Sequence, residues 1–434
     1  MKKILSFAVA VVMLLSLSIP MTYAAPETTG TASKVGSVEG GSEAYIAKMG
    51  YAEAGSGWTA ITSVAQLKGI SSGNYYLSGD IEFQSGDHAL GGGSERWATS
   101  EFGTITIDGC GYSISGWDYT GTKAYLFKVK SGNTFILKNA IFSDISINVT
   151  SGCISVLGVV DGTAKVDNVS ITADIYTTFT NYANNNGISG FFSYAGDKSN
   201  IEISNSEMNG SVTQDGQAGN TLNAGVTGFV AASRGAVTIT NCVNNARIEG
   251  YDVVAGIIAS RENGDKKFIE NCVNNGQIIS TRESKISNAF VGPNGTQAAK
   301  ITVTDCVNTG MLTSLIGGVV TTTVPTGVNG AQAFIQMTNG AETQDVRFIL
   351  AMSEAEYEAN KADLTFKVTF KVDGQYLSMD LKVENVLTTV EGGDMIYNAA
   401  DGVVLCGVIV EDVPTNEWTA CALSYNGAMW TYAK

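Results

Sequence analysis

Short apolar strands and polar turns alternate along most of this 434-residue chain, and their order repeats. The motif Asn-Cys-Val-Asn stands at 241–244 and 271–274, and Asp-Cys-Val-Asn stands at 305–308. Weaker copies place their polar residue at 139, 168 and 205, so the successive steps are 29, 37, 36, 30 and 34 residues. Unequal steps around a common motif are typical of repeats that share a core and differ in their loops.

A second motif, a glycine followed by two apolar residues, repeats in phase with the first. It stands at 158–160, 190–192, 228–230, 256–258 and 318–320. Each repeat therefore predicts a short apolar strand, a polar loop, a strand of alternating pattern and a corner rich in Asn and Gly, which tolerate positive φ. Strand and corner in alternation, with no competing helical period, predict an all-β fold, a right-handed parallel β-helix (solenoid) over residues 58–327.

The two ends of the chain show other patterns. Residues 1–24 combine Lys2 and Lys3 with an apolar stretch and are predicted to be a signal peptide. Residues 25–57 are rich in small polar residues and are predicted to be a flexible lead. Ser63 and Gln66 form a capping-box pattern, which predicts a short helix at 63–70 that covers the open end of the solenoid.

Residues 335–434 alternate with period two, as strands with one buried face do. Asp373-Gly374 and Asn426-Gly427 stand between apolar runs and predict hairpin turns. Six or seven short strands in this stretch predict an immunoglobulin-like β-sandwich. Cys406 and Cys421 are expected on adjacent strands, where they either pair or stay as free thiols.

Composition and charge limit the partners and the cellular location that the protein can have. The formal net charge of −15 argues against nucleic acid as a partner, and it could attract Ca²⁺, although no calcium motif is present. No cofactor or metal site is predicted. No apolar run after the predicted signal peptide is long enough for a membrane span. With the signal peptide, these features predict an extracellular, secreted protein, with association with the cell surface left open.

The opening of the structured region carries a resemblance to a known family. The segments 58–63, 75–81 and 102–116 resemble the start of exported bacterial β-helix proteins of the pectin-lyase-like type. The repeats that begin at Gly228 and Gly256 resemble GLUG-type repeats, although Ala231 and Ala259 stand where that family usually has a second glycine. The strands from Asp345 onward resemble sandwich modules of exported Gram-positive proteins. The resemblance implies the fold, and it implies a surface protein more than any particular activity.

The repeated polar and thiol residues are predicted to be structural. The polar residue of each repeat is expected to form a ladder that bonds the neighbouring backbone, and the Cys residues are expected to stack inside as small hydrophobes. The predicted ladder comprises Asn139, Asn168, Asn205, Asn241, Asn271 and Asp305, with Cys242, Cys272 and Cys306 beside it.

The search for catalytic motifs favours a non-catalytic protein. Neither a paired-Asp motif with Gly-His-Gly nor an Arg beside recurring acidic residues nor His-Glu-x-x-His is present, and the single His is His88. The longest segment between repeats, at 173–187, clusters aromatic and amide side chains of the kind that contact sugar rings. The candidate binding residues are Tyr176, Phe179, Asn181, Tyr182 and Asn184.

The sequence thus predicts a non-catalytic binding or adhesion protein whose loops contact glycans, cell wall or the surface of a host or neighbouring cell. The partner is expected to be a polysaccharide or a surface protein. Two alternatives remain open at this stage. One is a β-helix polysaccharide lyase or glycoside hydrolase, and the other is a purely structural surface component. The oligomeric state is not predicted.

Overall fold

The computed structural model describes residues 34–87, 103–122, 124–150, 153–178, 187–215, 225–251, 253–259, 266–281, 287–292, 301–308, 310, 312–314, 332–337, 342–383, 385–387, 389–392, 395–398, 403–426 and 428–433. Strands dominate this part of the chain, so the expected all-β class is confirmed. The helices are α1 (Ser42–Met49), α2 (Val64–Lys68) and α3 (Glu354–Asn360).

The strands before residue 331 are short, apart from two that run through a corner. In chain order they are β1 (Trp58–Ile61), β2 (Gly73–Leu77), β3 (Ile81–Glu82), β4 (Thr104–Asp108), β5 (Ser113–Ser115), β6 (Asp118–Gly121), β7 (Phe127–Val129), β8 (Thr134–Val149), β9 (Gly158–Val160), β10 (Thr163–Thr177), β11 (Ile188–Ser189), β12 (Phe192–Ala195), β13 (Asn200–Ser204), β14 (Glu207–Gln214), β15 (Gly225–Thr227), β16 (Val230–Ser233), β17 (Ala236–Thr240), β18 (Val243–Asn244), β19 (Arg247–Gly250), β20 (Val253–Ala255), β21 (Lys267–Glu270), β22 (Val273–Asn274), β23 (Ile278–Ser280), β24 (Ser287–Asn288), β25 (Ile301–Thr304), β26 (Val307–Asn308) and β27 (Leu312–Ser314).

Equivalent strands of successive repeats pair in parallel. In the first row, β4, β8, β10, β13, β17, β21 and β25 follow one another, and Ile203 pairs with Ile239, which in turn pairs with Ile269. The second row continues past the corner through β6, β8, β10, β14, β19 and β23. Two smaller parallel sheets, β7–β9–β12–β16 and β11–β15–β20–β24, complete the repeats. Their inward side chains form one buried cluster, which within the repeats extends from Ile61 to Cys306.

Helix α2 lies where the capping pattern predicted a helix. The Ser63 hydroxyl accepts a hydrogen bond from the Gln66 amide, and the Gln66 side chain accepts one from the Thr62 amide at 2.7 Å. Val64 and Leu67 point into the same buried cluster as the strands of the repeats. The helix therefore covers the apolar residues of the first repeat.

The lead predicted to be flexible is ordered over the residues that the structure describes. Residues 34–57, the N-terminal segment, include α1 and lie across the first row. Tyr51 is buried, and its ring lies 4.2 Å from that of Trp58 and 5.6 Å from that of Tyr76, measured between centroids. A few aromatic side chains therefore anchor a segment whose other residues are mostly small and polar.

The chain after residue 331 forms two further antiparallel layers. Its strands are β28 (Gln332–Met337), β29 (Thr343–Ser353), β30 (Thr365–Val372), β31 (Gln375–Lys382), β32 (Asn385–Leu387), β33 (Thr389–Gly392), β34 (Met395–Asn398), β35 (Val403–Pro414), β36 (Trp418–Tyr425) and β37 (Ala428–Ala433). One layer is β28–β29–β35–β32, the other is β31–β30–β36–β37, and a second buried cluster contains side chains of both. The Asp373-Gly374 hairpin is confirmed, with φ of 49° and 78°.

The structure corrects the expected position of two thiols. Cys406 lies on β35 and Cys421 on β36, which belong to different layers, so the two are not on adjacent strands of one sheet. Both side chains are buried, and neither forms a disulfide. Burial raises the pKa of the Cys406 thiol to about 11.

The C-terminal layers close the far end of the repeats. Strand β28 pairs in parallel with β27 and so extends the long sheet. Ile349 and Leu405 belong to the buried cluster of the repeats, while Ile279 of β23 belongs to the C-terminal cluster. The two parts therefore share buried apolar surface at their junction, and the last repeat is covered there.

Candidate functional site

The predicted polar ladder lies on the outside of the corner. Asn139, Asn168, Asn205, Asn241, Asn271 and Asp305 all have positive φ, between 50° and 56°. Asn is one of the few residues with a side chain that tolerates this left-handed conformation. Asn205, Asn241 and Asn271 are exposed.

The ladder bonds run from side chain to side chain. The Asn271 amide donates to Asn241 at 2.7 Å, and Asn241 donates to Asn205 at 3.2 Å. The column is interrupted between Asn168 and Asn205, since Asn205 donates to Asp167 instead. Asn168 is occupied by the N-terminal segment, because its amide oxygen accepts from the Gly36 amide at 2.8 Å and its amide nitrogen donates to the Ser37 carbonyl at 2.9 Å.

A second asparagine column, which the sequence analysis missed, is buried. Asn244 and Asn274 have no exposed surface, and the Asn244 amide donates to Asn274 at 2.7 Å. Asn274 donates to Asn308 at 2.8 Å and to the Gly276 carbonyl at 3.0 Å. A Cβ atom on Gly276 would lie 2.0 Å from the Ala246 carbonyl oxygen, so only glycine fits there. In the sequence, the sign of this buried column is the last Asn of each Asn-Cys-Val-Asn motif.

The three predicted cysteines stack in the interior beside these columns. Cys242, Cys272 and Cys306 are fully buried free thiols. The Cys272 sulfur accepts a hydrogen bond from the Cys242 amide at 3.4 Å, and the Cys306 sulfur accepts one from the Cys272 amide at the same distance. Interaction with the Cys242 side chain, together with burial, raises the pKa of Cys272 to about 12. These thiols therefore satisfy backbone donors and are not poised as nucleophiles.

The densest cluster of titratable groups surrounds the buried Asp108. Its carboxylate is fully covered. Its neighbours are Tyr45 OH (3.0 Å), Tyr51 OH (2.8 Å), Asn139 Nδ2 (3.0 Å), the Cys110 amide (2.9 Å) and Lys138 Nζ (3.0 Å). Burial alone would raise the pKa of Asp108, but the hydrogen bonds and the Lys138 charge together hold it below its usual value.

This cluster holds the N-terminal segment on the repeats. The two phenols come from that segment, and the other groups come from the first row and its corner. Burial and the Asp108 carboxylate raise the pKa of Tyr51, so its hydroxyl stays protonated and donates. Every oxygen of Asp108 is occupied and covered, so the carboxylate is not accessible to a substrate.

The structure describes one residue of the predicted aromatic site, Tyr176, and places it on a strand. Tyr176 lies near the end of β10 and pairs with Asn148 of β8 and Thr213 of β14. Its hydroxyl donates to the Asp215 carboxylate at 3.1 Å, and this bond raises the pKa of Tyr176 above its usual value. The other predicted binding residues, Phe179, Asn181, Tyr182 and Asn184, lie outside the described residues.

Tyr176 stands on the outer face of the second row, surrounded by polar side chains in register. We define the Tyr176 face by the outward residues of four successive strands, which are Ser146, Asn148, Asp174, Tyr176, Ser211, Thr213, Arg247 and Glu249. All are exposed or half-exposed. The inward residues between them, such as Ile147 and Ile175, fill the core, which fixes which side chains face out.

Hydrogen bonds order the side chains of this face. The Ser211 hydroxyl donates to Asp174 at 2.7 Å. Arg247 bonds Glu249 at 2.7 Å and the Gln277 amide oxygen at 3.1 Å. A half-exposed aromatic ring among fixed hydroxyl, amide and carboxylate groups can stack on a sugar ring and hydrogen-bond its hydroxyls, because sugars present an apolar face and polar edges.

The remaining charged groups do not form a further site. Within the described ranges, no three His, Cys, Asp or Glu side chains are placed to hold a metal ion. Lys267 of β21 points inward and is buried, in register with Val237. No helix in the part that the structure describes is long and apolar enough to cross a membrane. Comparison of the chain with protein-family models, curated proteins and solved structures finds no match.

Proposed function

We propose that this protein is a non-catalytic binding protein that is exported to the cell surface or beyond and that contacts carbohydrate through the Tyr176 face. In this proposal the repeats wind as a right-handed parallel β-helix of the pectin-lyase-like, GLUG-type kind, and the C-terminal layers form an immunoglobulin-like module. The in-register pairing of equivalent strands supports the first part. The two antiparallel layers around one core support the second.

The observation that carries the proposal is the position of Tyr176. Its ring is half-exposed on a rigid strand, and Asp215 holds its hydroxyl. A ring that is fixed before binding loses little side-chain freedom when a sugar stacks on it. Flanking Asn148 and Thr213 add hydrogen-bonding groups on either side. A single ring gives modest affinity, with a dissociation constant between about 10 μM and 1 mM.

The chemistry of the described residues favours binding over catalysis. The Asp108 carboxylate, whose pKa its hydrogen bonds and Lys138 hold below the usual value, is enclosed under the N-terminal segment. Asp174, on the exposed face, accepts a hydrogen bond from Ser211, and its direct neighbours in register are Ser146 and Ser211. The next carboxylate of that column, Asp118, stands two strands away on the same side of the sheet. Glycoside hydrolysis needs two carboxyl groups on opposite sides of one bond.

Binding and cleavage can be separated in one experiment. The purified chain 25–434 is applied to a glycan array, and the same preparation is incubated with a panel of polysaccharides. We expect retention of one glycan class and no release of reducing or unsaturated sugar. Release of such sugar would support a lyase or hydrolase, and neither retention nor release would support a purely structural surface component.

A further inference from the structure

Strand β31 ends the sheet β31–β30–β36–β37 and has an open edge. Over Gln375–Lys382 it pairs with β30, and within the described residues it has no strand on its other side. Its side chains alternate between exposed and half-buried, and Tyr376 is 72% exposed. A long, regular edge without proline or a bulge is a template for another strand.

The apolar core is incompletely covered along this edge. The core-facing residues of β31 are half-buried, whereas the residues that they oppose on β30 are buried. The opposed pairs are Leu377 with Phe370, Met379 with Val368 and Leu381 with Phe366. A strand added beside β31 would remove further apolar surface from water, which stabilises the pairing.

We propose that this edge pairs antiparallel with the same strand of a second copy of the chain, with Met379 on the two-fold axis. The register places each residue of β31 opposite a matching residue of the other copy. Met379 opposes Met379, and the remaining pairs are Leu377 with Leu381, Ser378 with Asp380, Tyr376 with Lys382 and Gln375 with Val383. A two-fold interface requires such self-complementarity.

This register is favoured on both faces of the sheet. Apolar residues meet apolar residues on the core side, which continues the buried cluster of one copy into that of the other. On the outer side, Ser378 can donate to Asp380, and the Lys382 ammonium lies opposite the Tyr376 ring. Tyr376 already has Lys371 of its own chain 5.7 Å from its ring centroid, so the ring would lie between two cations.

Neighbouring registers are less favourable. An axis at Asp380 would place that carboxylate opposite itself, and like charges directly opposite each other destabilise a strand pair. An axis at Ser378 would place Gln375 opposite Leu381 and Lys382 opposite Gly374 of the hairpin turn. An axis between two residues would place the apolar face of one copy beside the polar face of the other.

Charge variants test the interface by sedimentation of the full-length mature chain over a range of concentrations. Wild type is expected to form dimers in a concentration-dependent way. Ser378→Lys places a lysine opposite Asp380 twice per dimer, so it should tighten the dimer about fivefold. Ser378→Lys combined with Asp380→Lys should weaken it to below wild type. The matched control Thr419→Lys, at an exposed position of β36, should leave the affinity unchanged.

A cross-linking variant tests the axis directly. Met379→Cys opposes itself and should give a disulfide-linked dimer under mild oxidation, while Leu381→Cys should not, because it faces Leu377. Wild type under the same oxidant measures any background from the seven native cysteines. A protein that stays monomeric at all concentrations, a dimer that Ser378→Lys does not tighten, or cross-linking through Leu381→Cys instead of Met379→Cys would each overturn the proposal.

Discussion

At the scale of single residues, two asparagines of one motif have opposite roles. Asn271 is exposed and occupies a left-handed corner with φ of 50°, while Asn274, three residues later, is buried. The first is needed for its backbone, because few other residues with a side chain tolerate that conformation. The second is needed for its amide, because it bonds partners inside the repeats.

The buried amide should matter most for stability. Asn274→Leu leaves the Gly276 carbonyl without its donor and one N–H of the Asn244 amide without its acceptor, and a buried group without a partner costs about 1–3 kcal/mol. We expect the free energy of unfolding to fall by about 3 kcal/mol, measured by urea denaturation. Asn275→Ala, on the exposed neighbouring position, should change it by less than about 0.5 kcal/mol. Equal losses in the two variants would contradict the buried column.

The corner asparagine should respond to backbone preference. Asn271→Ala places an ordinary side chain at positive φ and should cost about 1–2 kcal/mol. Asn271→Gly removes the same ladder bond to Asn241 but relieves the backbone, so it should cost less than half as much. Thermal unfolding of the pair separates the two effects. A glycine variant that is less stable than the alanine variant would show that the ladder bond dominates.

At the scale of elements, the N-terminal segment is attached through one buried carboxylate. Tyr45 and Tyr51 reach Asp108 across 63 and 57 residues of sequence. Such a contact has no local signature, which explains why the sequence predicted a flexible lead. The repeats, in contrast, carry their pairing in the motif, since equivalent residues such as Ile239 and Ile269 recur at matching positions.

The attachment should weaken in acid. The folded pKa of Asp108 lies below its usual value, so the stabilisation is present above the unfolded pKa of about 3.9 and is lost as the pH falls through the folded value. Asp108→Asn should be less stable than wild type at pH 7 by about 1–3 kcal/mol. The difference between the two should shrink below about pH 4. If the difference in melting temperature between wild type and Asp108→Asn stays the same from pH 7 to pH 3, that result would argue against an ionised Asp108.

At the scale of the whole molecule, the sequence predicted the class of fold better than the site. The repeated motif predicted parallel strands in register, and Asp373-Gly374 predicted the first C-terminal hairpin, because both signals are local. The sequence did not predict that Cys406 and Cys421 lie in different layers, since layer assignment depends on long-range pairing. It placed Tyr176 in an inserted segment between repeats, whereas Tyr176 lies near the end of β10, because the polar residues that follow obscure the end of that strand in the sequence.

The junction of the two parts also escaped prediction. The sequence pattern predicts Ile279 to be an ordinary strand residue of the repeats, yet its side chain belongs to the C-terminal cluster. Buried contacts therefore cross the domain boundary that the sequence predicted between residues 327 and 335. Leu405 makes the reverse contribution, from β35 to the core of the repeats. Loss of either side chain should lower the stability of both parts together, because each completes the core of the other.

The most direct test of the account is binding by matched aromatic variants to the glycan that the array retains best, measured by titration calorimetry. Tyr176→Ala should weaken binding about tenfold, and Tyr176→Phe, which keeps the ring and loses only the bond to Asp215, should stay within about threefold of wild type. Phe268→Ala removes a ring that is 42% exposed on the first row and should bind as wild type does. Unchanged binding by Tyr176→Ala, together with a loss in Phe268→Ala, would contradict the assignment of the binding face.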